Sequence, residues 1–255
     1  MIRTLLSLAG FILAWWGLVV LFDVPSYLVP SPLELAEKFW FLTTQAGLFG
    51  HVPVTVIEII VGFVIGTVVG VAAAVLFTRF PMVEVVLNPL IIFIQTAPKI
   101  AIAPLLLLWL GLGATPKIVL VAIVSFFPVL SNMLSALRSI DPNYGALARI
   151  LKMNAFQRLW RIELPQSMPL LFAGMKVGVT LAVTAAVIGE LMGARAGLGY
   201  LLSLGQETAD VALVLVAVIL LSLIGYLLYV ALGAAERRLL GWHESRASAA
   251  PAVEG

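Results

Sequence analysis

The chain has 255 residues, of which 62% are hydrophobic and only 11% are charged, and its formal net charge is +2. A soluble domain has about 45–50% apolar and about 25% charged residues, so this composition indicates a membrane protein. The absence of cysteine excludes disulfides, thiolate metal sites and cysteine nucleophiles. His51 and His243 are far apart and form no metal-ligand cluster, and the small net charge does not suggest a nucleic-acid partner.

Six stretches are long and apolar enough to cross a bilayer, because about 20 apolar residues span its ~30 Å hydrocarbon core. The predicted transmembrane helices are Leu5–Phe22, Val54–Phe77, Val83–Leu110, Ile118–Leu137, Leu170–Ile188 and Val211–Leu232. No small-residue cleavage site follows the first stretch, so we interpret it as a retained span and not as a signal peptide. The sequence therefore predicts an all-α integral membrane protein with about six transmembrane helices in a single domain, residues 1–255.

The cationic residues favour one orientation in the membrane. With a cytoplasmic N-terminus, ten Lys and Arg residues fall in cytoplasmic segments and three, Lys38, Lys117 and Arg195, fall in extracytoplasmic ones. This asymmetry fits the positive-inside rule. We therefore expect both termini to be cytoplasmic, with residues 233–255 as a cytoplasmic tail.

Two of the predicted extracytoplasmic segments have recognisable patterns. The first, "PSPLELAEKFWFLTT", predicts a short amphipathic helix with Ser31 as its N-cap and Pro32 in its first turn. Glu34 would then lie near the positive end of that helix. The second, Gly193–Asp210, is rich in glycine and predicts a loop with a short re-entrant piece.

The third predicted span, Val83–Leu110, contains Pro89, Pro98 and Pro104, with Gln95, Thr96 and Lys99 near its middle. Interrupted backbone at membrane depth is tolerated where it lines a cavity or packs in protein. This segment is therefore the predicted translocation path, where Lys99 would attract an anionic solute. Alternatively, Lys99 reaches the interface or pairs with a carboxylate, Glu58 or Glu190.

Three further polar residues in or next to spans are candidates for the same path: Asn132, Thr184 and Glu190. Polar side chains in lipid are costly and therefore often functional, although hydroxyls in spans also bond their own helix. Glu190 lies at the end of the fifth span, where its charge would reach water. It would contact a binding protein, line an outer gate or pair with Arg195, and the sequence does not separate these roles.

The segment "NYGALARILKMNAFQRLWRIELPQSMP" is unusually basic and lies between two apolar runs. Asp141 and Pro142 predict a helix start. Leu147, Ile150 and Leu151 share one helical face, whereas Phe156, Leu159 and Trp160 form a second face out of phase with the first. The shift near Met153–Ala155 predicts two short helices joined by a bend, with Pro165 and Pro169 ending the second and beginning the next span. The cations either only set topology, or the apolar faces dock into a partner or the lipid interface.

The spacing in this segment resembles the cytoplasmic loop of binding-protein-dependent ABC importer permeases. The signature of that family is Glu-Ala-Ala, three residues, Gly, nine residues, Ile, one residue and Leu-Pro. Four residues match at the correct offsets: Ala148, Ile162, Leu164 and Pro165. Three positions differ from it: Ala146 replaces Glu, Leu147 replaces Ala and Lys152 replaces Gly.

Four other stretches resemble the nitrate/sulfonate/taurine branch of that family: "PSPLELAEKF", "APLLLLWLGLGATPKIVLVAIVSFFPVLSNMLSALRSIDP", "GELMGARAGLGYLL" and "ERRLLGWHE". The resemblance implies the type I ABC importer permease fold in a bacterial inner membrane. It also implies a permease homodimer, an ABC ATPase dimer that binds ATP and Mg, and an extracytoplasmic solute-binding protein. No cofactor is implied for this chain itself. Thiamine-precursor pyrimidines, riboflavin and aromatic acids fit the resemblance as alternative substrates.

The resemblance further implies that residues 141–165 form the ATPase-coupling loop, with Tyr144–Ala155 as the coupling helix. The residues expected to couple are Tyr144, Ala148, Ile150, Leu151, Lys152, Asn154, Phe156, Trp160, Leu164 and Pro165. At Lys152 the family glycine would allow a left-handed backbone, which costs a lysine roughly 1 kcal/mol. We therefore predict that the bend moves to Asn154.

The chain has no G-x-x-x-x-G-K-S/T phosphate-binding loop, so ATP-driven transport needs a separate subunit. It also has no G-x-S-x-G or H-E-x-x-H motif, which disfavours an integral-membrane enzyme. An ion-coupled secondary transporter is the main alternative, and a partner-binding scaffold without transport is another. Dependence of transport on an ATPase distinguishes the importer from both.

Overall fold

The computed structural model describes residues 2–45 and 47–240. Within these residues eleven α-helices follow one another: α1 (Ile2–Leu21), α2 (Pro32–Thr44), α3 (Leu48–Arg79), α4 (Pro81–Thr96), α5 (Lys99–Leu110), α6 (Thr115–Arg138), α7 (Pro142–Ile150), α8 (Ala155–Arg158), α9 (Leu164–Leu191), α10 (Leu198–Glu207) and α11 (Val211–Leu239). A π-helical turn, Leu159–Glu163, joins α8 to α9. The predicted all-α fold class is confirmed.

Four helical stretches are long and apolar enough to cross a membrane: Leu48–Arg79, Thr115–Arg138, Ala155–Leu191 and Val211–Leu239. Helices α4 and α5 together make a possible fifth crossing, bent by 100° at their junction. The apolar part of α1, Ala9–Leu21, is shorter than these. By length and composition, the described residues therefore give four or five crossings where the sequence predicts about six.

The third predicted span is not one helix, because it breaks at Ala97 and Pro98. Ala97 has an extended backbone, φ −60° and ψ 138°, as expected for a residue before proline. Pro89 and Pro104 lie inside α4 and α5 without ending them. Only the middle proline of the three therefore interrupts the helix.

The chain forms two compact units, each built from three separate segments. The first unit consists of the chain up to Ile60, Lys99–Leu120 and Val183–Ile224. Its core is formed by residues of α2, α3, α10 and α11, with Leu198 and Ala217 fully buried. The second unit consists of Val61–Pro98, Val121–Ala182 and the chain from Gly225. Its core is formed by α3, α6 and α9, around Ala74, Val129 and Met133.

The predicted helix after Pro30 is confirmed as α2, and two reciprocal hydrogen bonds between Ser31 and Glu34 cap its N-terminus. The Glu34 amide donates to Ser31 Oγ at 3.2 Å, and the Ser31 amide donates to Glu34 Oε2 at 2.7 Å. These two bonds satisfy backbone donors that the first helical turn leaves without partners. The hydrogen bond from the Ser26 hydroxyl, followed by the bond from the Ser31 amide, lowers the pKa of Glu34.

Glycines let α3, α6 and α9 approach closely within the second unit. A Cβ atom on Gly66 would lie 2.6 Å from the Ala122 carbonyl oxygen, and one on Gly70 would lie 3.0 Å from the Phe126 carbonyl oxygen. A Cβ atom on Gly174 of α9 would lie 2.8 Å from the Pro128 carbonyl oxygen. Small residues therefore set these helix–helix contacts by backbone approach, as is typical of membrane helices.

Candidate functional site

The basic segment forms one short helix, α7, and after a break it begins a second helix at α8. The predicted bend between two helices is confirmed, but the second helix continues into α9 and is not short. Helix α7 starts with Asp141 as its N-cap, and the Asn143 amide donates to Asp141 Oδ1 at 2.8 Å. Helix α8 starts at Ala155, after Asn154 as its N-cap. The connection, residues 151–154, lies where the two apolar faces change phase.

The prediction that the bend moves to Asn154 is wrong. Lys152 itself has the left-handed backbone, with φ +49°, whereas Asn154 is extended, with φ −74° and ψ 168°. Asn154 is needed as an N-cap: its Oδ1 accepts from the Gln157 amide at 2.8 Å, and an N-cap residue takes the extended region. The left-handed position therefore falls on Lys152, where the family carries glycine.

Lys152 completes a Schellman-type end to α7. The Met153 amide donates to the Ala148 carbonyl at 2.9 Å, and the Lys152 amide donates to the Arg149 carbonyl at 3.0 Å. These two bonds satisfy carbonyls that the last turn of a helix leaves free, and they require a left-handed residue just after the cap. The two hydrogen bonds thus offset the backbone strain of a lysine in this conformation.

The apolar side chains of the segment divide into an outward and an inward set. Phe156 and Trp160 are 68% and 55% exposed, their ring centroids lie 5.9 Å apart, and Ile150 and Leu151 are also exposed. Ala148 is buried. Exposed aromatic and aliphatic groups on one short basic segment are available to a partner or to the lipid interface.

The remaining predicted coupling residues differ in how much of their surface is exposed to solvent. Tyr144, Lys152 and Asn154 are exposed, whereas Leu164 and Pro165 are half-buried. All ten residues lie in the second unit. Their function as ATPase contacts stays a prediction.

The prediction that Pro165 and Pro169 end the second short helix is wrong, because the chain from Ala155 to Leu191 is one continuous helix. A proline inside a helix lacks an amide donor and clashes with the carbonyl four residues earlier. For Pro165 that carbonyl belongs to Arg161, which lies in the π-helical turn Leu159–Glu163. The wider π turn makes room for the proline ring, so the helix continues through it.

A buried carboxylate that the sequence reasoning missed lies at the end of this π turn. Glu163 is only 4% exposed. Its Oε2 accepts from Arg79 Nη2 at 2.5 Å, and its Oε1 accepts from Arg158 Nε at 2.7 Å. The signal in the sequence was a single acidic residue within a basic segment, directly before the Leu-Pro pair.

The first unit contains a network of buried polar groups around Glu58 and Glu190. Lys117 Nζ donates to Glu58 Oε1 at 2.6 Å, and both residues are buried, at 6% and 1% exposed. Thr55 Oγ1 donates to Glu190 Oε1 at 2.6 Å and accepts from the Leu198 amide at 2.8 Å. The network therefore ties α3 to α6, α9 and α10 through buried side chains.

The turn before α10 closes around the Glu190 carboxylate. The Gly199 amide donates to Glu190 Oε2 at 2.5 Å, and the Gly197 amide donates to His51 Nδ1 at 3.1 Å. A Cβ atom on Gly199 would lie 2.6 Å from Glu190 Cβ, so only glycine fits there. The His51 ring stacks on Tyr200 with their centroids 5.7 Å apart.

The expectation that Glu190 reaches water is wrong, since it is 1% exposed. Within the described part of the chain it makes no ion pair with Arg195, and its oxygens accept from Thr55 and Gly199 instead. Lys117, counted from the sequence as a loop cation, is a buried partner of Glu58. The signal that would have found it is Glu58 itself, because a carboxylate within a span needs a cation nearby.

The other predicted path residues lie separately in the two units. Thr96 is exposed and donates to the Phe93 carbonyl at 3.0 Å, and Asn132 donates to the Pro128 carbonyl at 2.8 Å. Thr184 is exposed, whereas Gln95 and Lys99 are half-buried and each interact with other groups. Gln95, Thr96 and Asn132 belong to the second unit, and Lys99, Thr184 and Glu190 belong to the first. Their place on a solute path stays a prediction.

Residues 66–241 match the family model described as "Binding-protein-dependent transport system inner membrane component". The chain belongs to this family. It is thus a multi-pass inner-membrane permease of an ABC importer, a class of subunit that is not itself catalytic and that works with an ATPase and a binding protein. The resemblance inferred from residues 146–165 is confirmed.

Two relatives are similar to this permease over most of its length. It is 34% identical to the "Riboflavin transport system permease protein RibX" of Chloroflexus aurantiacus, covering 91% of this chain and 86% of that protein. It is 29% identical to the "Putative aliphatic sulfonates transport permease protein SsuC" of Bacillus subtilis, covering 94% of this chain and 87% of that protein. The sulfonate-type relative agrees with the resemblance to the nitrate/sulfonate/taurine branch.

The fold of the permease also matches a solved importer. The inward-facing MetNI methionine ABC transporter aligns with a TM-score of 0.61 at 20% identity, covering 80% of this chain and 98% of that one. At this level of identity the likeness concerns the fold. It confirms the type I importer permease fold.

Proposed function

We propose that this permease imports a small organic anion of the sulfonate type, delivered by an extracytoplasmic binding protein and driven by ATP hydrolysis on a separate ATPase dimer. The observation that carries the coupling part is the exposed apolar set on α7 and α8. Ile150, Leu151, Phe156 and Trp160 are exposed on two short helices held at a fixed bend. Such a surface fits a groove on a partner, in the manner of a helix docking by its apolar face.

The nucleotide chemistry belongs to the partner in this proposal. The sequence carries no G-x-x-x-x-G-K-S/T loop, so ATP and Mg are bound on the ATPase and this chain needs no cofactor. Two copies of the permease would form a homodimer over an ATPase dimer. The distribution of cations supports cytoplasmic N- and C-termini, which places α7 and α8 on the ATPase side. Trp242 and the rest of the tail beyond residue 240 lie outside the described residues.

The coupling surface is tested by a double substitution, Leu151→Asp with Trp160→Asp. We expect the protein to insert normally, to lose co-purification of its ATPase and to lose uptake. The matched control, Leu151→Met with Trp160→Phe, keeps the surface apolar and should retain both. Normal ATPase co-purification and uptake in the aspartate variant would contradict the coupling role, and uptake that persists without the ATPase would indicate ion-coupled transport.

The substrate class is supported by the sulfonate-type relative and by Lys99, which would favour an anion. A flavin is a second candidate, because the riboflavin permease is 34% identical to this chain. The test is ligand binding by the cognate solute-binding protein, measured by calorimetry against taurine, alkanesulfonates, nitrate and riboflavin. Selective binding of riboflavin would replace the first assignment with the second.

A further inference from the structure

We propose that Glu163 is a positioning residue that transmits movement of the coupling loop to the end of α3 through Arg158 and Arg79. This inference rests on the proposed coupling function and adds a specific route within the second unit. Glu163 contacts neither solute nor nucleotide in this scheme. It acts by linking two helices that have no other described ion pair between them.

The first step is that Glu163 is held from both sides. Arg158, on the α8 side, donates from Nε to Oε1 at 2.7 Å, and Arg79, the last residue of α3, donates from Nη2 to Oε2 at 2.5 Å. The carboxylate is buried, whereas the arginine side chains are 44% and 28% exposed. Each oxygen therefore has its own cation, and the surplus positive charge is solvated at the surface. Charge-assisted bonds of this kind are among the strongest polar contacts in proteins.

The second step is the position of this carboxylate on the loop. Phe156 and Trp160 flank Arg158 in the sequence, and both rings face outward. A partner that pushes on these rings pushes on the short segment from which Arg158 reaches Glu163. The force is thus applied within one helical turn of the ion pairs.

The third step is the π turn itself. In Leu159–Glu163 the helix is wider than an α-helix, and the Leu164 amide donates to the Leu159 carbonyl five residues earlier. Single π turns within α-helices occur frequently at functional sites. A π turn next to the loop gives the helix a place to yield, so that α8 moves without displacing the whole of α9. Glu163 is the last residue of that turn, and Arg79 connects it to α3.

The same unit offers a matched control. Arg138, at the end of α6, donates to Glu84 in the first turn of α4, and this pair is also an arginine–glutamate bridge. It is not joined to the π turn or to the exposed rings. A substitution at Glu84 therefore removes a comparable charge pair without touching the route from loop to α3.

The test uses the complete transporter, isolated through a tag on this permease together with its ATPase and binding protein, in proteoliposomes. We expect Glu163→Gln to retain ATPase co-purification while solute uptake per ATP hydrolysed falls about tenfold, the effect of one lost charge-assisted bond. Glu84→Gln should leave this ratio within about twofold of the wild type, the range of a surface ion pair. Arg79→Gln removes the cation of the Arg79–Glu163 pair, whose arginine is partly exposed to solvent, and should reproduce the Glu163→Gln defect.

Two results would overturn the inference. An unchanged ratio in both Glu163→Gln and Arg79→Gln, with normal co-purification, would show that the link carries no movement. Loss of ATPase co-purification in Glu163→Gln, with a normal ratio in Arg79→Gln, would show a purely structural role for the carboxylate. If the proposed coupling function itself is wrong, the double variant Leu151→Asp with Trp160→Asp will still bind the ATPase. That result distinguishes failure of the coupling function from failure of the inference about Glu163.

Discussion

Substituting Lys117 by methionine tests the most deeply buried ion pair in the protein's described part. Glu58 is 1% exposed and pairs with Lys117 at 2.6 Å. The variant Lys117→Met fills similar space but leaves the carboxylate without its cation. Breaking a buried pair on one side costs about 3–5 kcal/mol, because the remaining buried charge loses its counter-ion.

The expected loss is large enough to measure by thermal unfolding in detergent. With about 2–4 °C per kcal/mol for a chain of this size, Lys117→Met should lower Tm by roughly 6–20 °C. The control is Lys176→Met. Lys176 pairs with Glu236, and the two side chains are 24% and 26% exposed. Since a pair with access to solvent contributes less than a fully buried one, that variant should lose fewer degrees than Lys117→Met.

A double variant separates charge from packing at the same place. Glu58→Gln with Lys117→Met removes both charges, and it should recover most of the stability because neutral replacements of buried pairs are tolerated. The reasoning is refuted if the double variant is as unstable as Lys117→Met alone. It is equally refuted if Lys117→Met and Lys176→Met lose the same amount.

Three further predictions concern a backbone conformation, an ion pair and a helix–helix contact. Lys152→Gly relieves a left-handed backbone and should raise the unfolding free energy by about 1 kcal/mol, seen as a higher Tm; a lower Tm would contradict the strain. Burial raises the pKa of Asp210, but the hydrogen bond from Lys38, the bond from the Leu213 amide and the charge of Lys38 together lower it below its ordinary value of 3.8. The stabilisation is therefore present above the unfolded pKa and is lost as pH falls through the lower folded value. Asp210→Asn should therefore flatten the acid side of the stability profile, measured by unfolding between neutral and acidic pH, and an unchanged profile would exclude that ion pair as the cause. Gly66→Ala, with a new Cβ 2.6 Å from a backbone oxygen, should cost about 1–3 kcal/mol, whereas Gly145→Ala, with nothing within 4 Å, should be neutral or stabilising in the same assay.

The sequence was sufficient for features that depend on local chemistry. The Ser31 and Asp141 caps, the two-helix form of the coupling loop and the all-α class follow from residue types within a few positions of one another. The same locality explains the error at the bend, because the tolerance of Asn for a left-handed backbone favours Asn154 when only neighbouring residues are considered. In the structure the stronger demand on Asn154 is to cap α8, which needs an extended backbone.

The sequence was insufficient where the deciding contact is distant. Lys117 lies 59 residues from Glu58, and Glu163 lies 84 residues from Arg79. Hydropathy assigns such residues to loops or spans without indicating which charge meets which. The break at Pro98 and the continuity through Pro165 show the same limit, since a proline ends a helix or not according to the geometry around it.

The pairing of Glu58 with Lys117 has a consequence for biogenesis. An unpaired charge within a membrane helix costs up to about 2.5–3.5 kcal/mol at the helix centre on insertion scales, and Glu58 is the eleventh residue of α3. Since 59 residues separate the two partners, synthesis at about 5–20 residues per second leaves α3 without its cation for about 3–12 s. During that interval α3 must be held by the insertion machinery or shield its acid in another way. The nascent permease is therefore most exposed to membrane quality control before α6 emerges.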